Sequence, residues 1–268
     1  MKTEDMKSGA DDGARADTDD GLRDTATTAP LWQRLRQVTA ARIGLPRSGA
    51  SLATEALLDL RLSHARARDA VHAALDVDAL RADLLPLGLP VLQCRSEAVE
   101  RQRYLLRPDL GRRLDGESRD RLLSCGQRGL DLCITVADGL SATAGQQHAT
   151  DLLNLLVPLL REQGWLLAPL VLLQQGRVAA GDDIGEALGV KCMVMLVGER
   201  PGLSSPDSLG AYMTWMPKVG RTDAERNCVS NIRPQGYPLA EAARKIAYLA
   251  DRMRTEGCSG VRLKDENH

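Results

Sequence analysis

The sequence predicts an α/β protein in which an N-terminal α-helical domain precedes a Rossmann-like, mostly parallel α/β domain. Three observations carry that expectation. Apolar residues recur at helical spacing along the front of the chain. Beyond Pro90, short and nearly continuous apolar runs alternate with longer amphipathic stretches, the pattern of βαβ units. A length of 268 residues with 43% hydrophobic content is enough to bury a sizeable core, built from Leu, Val, Ala and Met because Phe is absent.

Residues 1–30 carry Asp11, Asp12, Asp17, Asp19, Asp20 and Asp24 among Gly, Ala and Thr. That composition is too polar to offset the entropy of ordering, so a disordered acidic tail is expected. The helical domain is expected over 31–88. Trp32, Leu35 and Val38 open it, and Ala53, Ala56, Leu57, Leu60, His64, Ala67 and Val71 form the stripe of a second helix. A shorter helix covers 76–85, and Pro86, Gly88 and Pro90 end the region.

The α/β domain is expected over 89–268, with strands at 89–94, 130–137, 166–173 and 190–197 and helices near 109–126, 143–163, 179–188 and 238–256. The runs 130–137 and 190–197 are apolar almost throughout, as in strands covered by helices on both faces. The last helix is the clearest, with Leu239, Ala242, Ala243, Ile246, Leu249, Ala250 and Met253 in one stripe between Pro238 and Gly257.

Several function classes are disfavoured. Thirty-five basic residues against 36 acidic ones leave a formal charge of −1, which lacks the basic footprint of a nucleic-acid surface. No apolar run approaches the ~20 residues of a membrane span, and the N-terminus does not read as a signal peptide, so a soluble intracellular protein is expected. Cys94, Cys125, Cys133, Cys192, Cys228 and Cys258 show no CxxC spacing, which argues against a zinc site or a disulfide framework. His64, His72, His148 and His268 form no metal triad.

Open parallel sheets bind ligands beyond the carboxyl ends of their strands, which singles out Asp138-Gly139-Leu140-Ser141, Gln174-Gln175-Gly176-Arg177-Val178 and Gly198-Glu199-Arg200-Pro201-Gly202-Leu203. Ordinary strand-to-helix turns contain the same residue types. Neither GxGxxG nor GxxxxGK[ST] occurs, which argues against an autonomous dinucleotide enzyme. Arg107, Arg112 and Arg113 cluster near a Pro-led turn, either as a clamp for carboxylate or amide oxygens or as a solvated face. Three readings stand at this level: a binding subunit without catalytic residues of its own, a self-sufficient enzyme using Cys228 or Glu199, and a scaffold that binds no cofactor.

Read together, Tyr104 to Leu114, Asp138 to Ser141, Asp183-Ile184-Gly185-Glu186, Leu196 to Leu203 and Cys228-Val229-Ser230-Asn231-Ile232 closely resemble the small (light) chain of ethanolamine ammonia-lyase, over roughly residues 31–256. The resemblance implies a lyase that converts ethanolamine to acetaldehyde and ammonia with adenosylcobalamin. It also implies that catalysis belongs to a large barrel-shaped subunit, with the coenzyme at the interface of the two chains. The family's coenzyme contacts fall here on Val178, Glu199 and Cys228: an apolar wall, an acceptor for hydroxyl or amide groups, and a close contact with a weak polar edge. No Asp-x-His-x-x-Gly motif is present, so the resemblance implies that cobalt keeps its own benzimidazole ligand. Family members often begin with an amphipathic helix for delivery to a bacterial microcompartment. Residues 1–30 show no such stripe, which favours the open bacterial cytoplasm. Residues 42–50 follow the family's Arg/Gly-rich turn only loosely.

Overall fold

The computed structural model describes residues 24–125 and 129–264. The chain divides into two compact units between Leu58 and Asp59. In the first, helix α1 (Asp24–Val38) leads to a small antiparallel hairpin, β1 (Arg47–Ser48) and β2 (Ser51–Leu52), in which Arg47 lies opposite Leu52. Helix α2 (Thr54–His72) begins here and continues into the second unit. α1 starts at Asp24, inside the stretch expected to lack structure. The rest of the expected tail, residues 1–23, lies outside the described residues.

The second unit begins, after α2, with α3 (Val77–Leu84), whose N-cap Asp76 accepts a hydrogen bond from the Ala79 N–H at 3.0 Å. Leu80 and Leu84 of α3 are fully buried in the core of this unit, so the division falls well before residue 88, where sequence pattern alone set a boundary. Then follow β3 (Val91–Arg95), α4 (Arg101–Leu106), a 3-10 turn at Leu110–Arg112, α5 (Gly116–Leu123) and β4 (Leu132–Ala137). The chain continues through α6 (Ala142–Glu162), β5 (Leu170–Gln174), α7 (Ala180–Leu188) and β6 (Cys192–Gly198), and closes with β7 (Leu209–Trp215), β8 (Arg226–Ile232) and α8 (Leu239–Glu256).

Six strands form one sheet in the order β3-β5-β4-β6-β7-β8. The first four are parallel, and β7 and β8 are added antiparallel, so the sheet is mixed and mostly parallel. Every residue of β4 and β6 is buried. Their side chains alternate between two cores: Leu132, Ile134 and Val136 belong with α3, α6 and α8, whereas Cys133 and Ala137 belong with α5 and α7. That burial on both faces is the reason these two segments read as unbroken apolar runs.

Two sequence expectations needed revision in detail. The helix expected over 109–126 is a turn plus the shorter α5, because the Asp115 carboxylate caps Ser118 N–H at 2.8 Å and starts the helix there. β7 and β8 were not anticipated. β8 lies at the sheet edge with Asn227, Cys228, Ser230 and Asn231 facing outward or half-buried, so its apolar pattern is too sparse to stand out.

Among the described residues no helix is long and apolar enough to cross a membrane.

β4 and β6 touch through backbone at their carboxyl ends. Leu140 N–H donates to the Gly198 carbonyl at 2.8 Å, and a Cβ built on Gly198 would lie 1.9 Å from the Ser141 carbonyl oxygen. Backbone on both sides leaves no soft atom to yield. Gly198→Ala is therefore expected to lower stability by about 3 kcal/mol. Urea unfolding should show an earlier midpoint at an unchanged slope.

Candidate functional site

β4 and β6 are neighbours whose chains leave in opposite directions: β4 crosses through α6 to β5, and β6 turns toward β7. The crevice at such a reversal is where open α/β sheets take ligands. Here it opens into a cleft of about 480 Å³. Its walls are Gly139 and Leu140 after β4, Arg177 and Val178 after β5, Val197 to Arg200 at the end of β6, and the rings of Tyr104 and Tyr212. All three strand-end segments singled out in the sequence thus converge on one space.

Asp138, 1% exposed, sets the geometry of the wall beyond β5. Its carboxylate accepts the Gln175 N–H at 2.8 Å and the Gly176 N–H at 3.1 Å, with the Arg101 guanidinium 3.8 Å away. Burial pushes its pKa up, against the opposing pull of the two N–H groups and Arg101. Gln175 is thereby held at φ +56°, a left-handed conformation rare for a residue with a side chain. Arg101 also donates to the Gly139 carbonyl at 2.8 Å and to Gln175 Oε1 at 3.3 Å, tying the ends of β4 and β5 together.

Tyr104 is completely buried between two guanidiniums, with Arg177 at 4.3 Å and Arg101 at 4.8 Å from the ring centroid. Its hydroxyl donates to the Gly176 carbonyl at 3.2 Å, and burial raises its pKa. Arg177 Nε and Arg101 Nη2 are buried without a hydrogen-bond partner, so the cleft keeps unspent donors beside it.

Of the three coenzyme contacts expected from sequence, Val178 and Glu199 line the cleft. Glu199 Oε2 accepts from the Ser208 hydroxyl and from the Asn231 N–H at 3.1 Å, so this residue also joins the β7 and β8 ends. Cys228 does not line the cleft. It sits exposed on β8, in register with Tyr212 of β7, whose ring does line it. Desolvation of the thiol raises its pKa, the Glu199 carboxylate adds to this, and a hydrogen bond with Tyr212 opposes it.

Two further candidates, His148 and Arg107, have structural partners. His148 Nε2 lies 3.1 Å from Asp207, which also binds Arg233 at 2.9 Å, and together they fix the loop between β6 and β7. Arg107 forks onto Asp109 at the surface, holding that carboxyl below the ordinary carboxylate range. Among the described residues no group of three or more His, Cys, Asp or Glu side chains is arranged to hold a metal ion.

Sequence reasoning missed three contributors. Asp138 read as a turn residue rather than a clamp, and Tyr104 as part of a motif without a position. Arg226, unmarked in the sequence, forms a buried fork with Asp182 at 2.6 and 2.7 Å that fastens β8 to α7. Burial raises the Asp182 pKa, and Arg226 counters it.

Beside this fork, the Glu225 carboxylate accepts from the Thr222 N–H at 2.8 Å and pairs with Arg221, and these contacts, the Thr222 N–H foremost, hold its pKa down at about 2 from an ordinary 4.5. A lowered carboxylate pKa stabilises the folded form above about pH 4.5, and that contribution disappears as pH falls toward about 2. The protection factor of the Thr222 N–H, its exchange rate relative to an unstructured amide at the same pH, should fall over that window, and Glu225→Gln should flatten the dependence.

A preformed cleft at a strand reversal is the place where open α/β folds take ligands, and the fold class is that of a mixed, mostly parallel α/β protein. The comparisons with known proteins make that class particular. The family model for the ethanolamine ammonia-lyase light chain matches residues 29–264. The ethanolamine ammonia-lyase small subunit of Azotobacter vinelandii is 53% identical over 247 residues, 91% of each chain. That of Pseudomonas syringae pv. tomato is 50% identical over 248 residues, 91% of this chain and 86% of its own. That of Rhodopseudomonas palustris is 53% identical over 233 residues, 87% of this chain and 89% of its own. The chain belongs to the ethanolamine ammonia-lyase light-chain family.

Proposed function

We propose that this chain is the small subunit of an adenosylcobalamin-dependent ethanolamine ammonia-lyase, a carbon–nitrogen lyase that yields acetaldehyde and ammonia when joined to a large subunit. The observation that carries the reading is the convergence of Val178 and Glu199 on one cleft, with Cys228 paired to a residue that lines it. When bound, adenosylcobalamin supplies radical chemistry through homolysis of its cobalt–carbon bond.

The residues present fit such a ligand. A corrinoid carries amide oxygens around its rim, and Arg177, which lines the cleft with its Nε unpartnered, is a donor that suits them. Glu199 has both protein hydrogen bonds on Oε2, which leaves Oε1 as the acceptor for a hydroxyl or amide group. Val178 gives an apolar contact, and Cys228 a close, weakly polar one at the rim. The coenzyme exceeds a cleft of about 480 Å³, so this chain forms one wall and the large subunit the other. Together they exclude water from reactive intermediates.

The helical stretch of residues 31–88 is the part of the chain that we assign to contact with the large subunit. Within its first unit, the exposed Leu31, Val38 and Leu58 are apolar side chains that such a partner would cover. On the family resemblance and the bacterial relatives, we place the complex in the bacterial cytoplasm.

Ethanolamine-dependent acetaldehyde formation with adenosylcobalamin is expected only when both subunits are mixed. Glu199→Ala should weaken the apparent coenzyme affinity by about tenfold, the loss of one charge-assisted hydrogen bond. Activity from this chain alone would overturn the proposal.

A further inference from the structure

A second cavity, of about 520 Å³, adjoins the cleft and shares Arg177 and Val178 with it. Arg112 and Arg113 form another wall, and the loop Val219 to Asp223 after β7 closes the far side. Backbone contact brings the segments that carry these arginines to the same cavity. Arg177 N–H donates to the Gly111 carbonyl at 2.7 Å, and Gly111 has no room for a Cβ, which would lie 2.8 Å from Arg177 Cγ. Leu114 N–H donates to Asp183 at 3.1 Å and pins the following segment to α7.

The charges in this cavity do not balance. Asp182 is taken by the buried Arg226, and Arg221 by Glu225. Asp223, fully exposed, lies 3.7 Å from Arg226. Among the described residues, Arg112, Arg113 and Arg177 have no carboxylate within ion-pair distance, and Arg177 Nε is buried without a partner. Three arginines lining one cavity are complementary to a multi-oxygen anion, and their planar forks match phosphate oxygens.

We infer that this cavity is an anion subsite for a phosphodiester, the one in the nucleotide loop of the coenzyme. The inference rests on the lyase reading above. A ligand lying across the shared Arg177–Val178 ridge places its corrin rim in the cleft and its nucleotide-loop phosphate among the arginines.

The test measures equilibrium binding to the assembled two-subunit complex, not turnover. Adenosylcobalamin is compared with adenosylcobinamide, which lacks the nucleotide loop and its phosphodiester, on the wild type, Arg112→Gln/Arg113→Gln and Arg112→Lys/Arg113→Lys. The double Gln variant should lose about tenfold or more in affinity for adenosylcobalamin and nothing for adenosylcobinamide, with partial recovery in the Lys variant. Inorganic phosphate should compete with adenosylcobalamin on the wild type only.

An equal loss for both corrinoids, or no loss for either, would overturn the subsite. Loss of subunit assembly instead would mean that the guanidiniums bind carboxylates of the large subunit, again against it. If the double Gln variant loses inorganic phosphate binding but keeps its adenosylcobalamin affinity, a free phosphate is the ligand and the nucleotide-loop assignment fails. A wild-type complex that binds neither corrinoid would defeat the lyase reading itself, and the subsite with it.

Discussion

The cleft depends on one buried carboxylate. An Asp removed from water is costly unless its oxygens are hydrogen-bonded. Asp138 meets that requirement by taking the N–H groups of Gln175 and Gly176 from the neighbouring strand end. The bargain works in both directions. The left-handed Gln175 backbone costs about 1–3 kcal/mol by itself, and the Asp138 clamp together with the Ser96 hydroxyl on the Gln175 carbonyl holds it in place. Release of the clamp would let Arg177 and Val178 move, and with them the ridge common to both cavities.

Around that clamp, the site is built from loops on a rigid sheet. β4 and β6 are buried along their full length, so the strand ends that bear Asp138 and Gly198 have little freedom. Tyr104 fills the space between Arg101 and Arg177 and directs both guanidiniums without neutralising them. The Arg226–Asp182 fork does similar service for β8, where Cys228 sits. The Arg226–Asp182 fork serves as a fastener, whereas Arg177, with its Nε unpartnered, lines both cavities.

Much of this was legible in the sequence, for definable reasons. Central strands β4 and β6 announce themselves because burial on both faces demands apolar residues at every position. Glycines after β4 and β6 mark close backbone approach, and the structure shows that Gly139 and Gly198 are in contact. The edge was harder: β8 needs apolar side chains on one face only, and β7 contains Gly210 and Ala211, so neither has a strong period. Val178, Glu199 and Cys228 could be named only through family resemblance, since nothing in their spacing brings them together. The pairing of Tyr212 with Cys228 and the docking of Gly111 on Arg177 are tertiary facts that link residues far apart in the chain.

The most direct test of this account is the adenosylcobalamin dissociation constant of the assembled complex carrying Asp138→Asn. An amide retains one acceptor but loses the second, so the Gln175–Gly176 turn loosens while the fold persists. The account predicts weaker coenzyme binding with an unchanged KM for ethanolamine at saturating coenzyme. Unchanged coenzyme affinity in a fully assembled complex would contradict the claim that Asp138 shapes the coenzyme-facing wall.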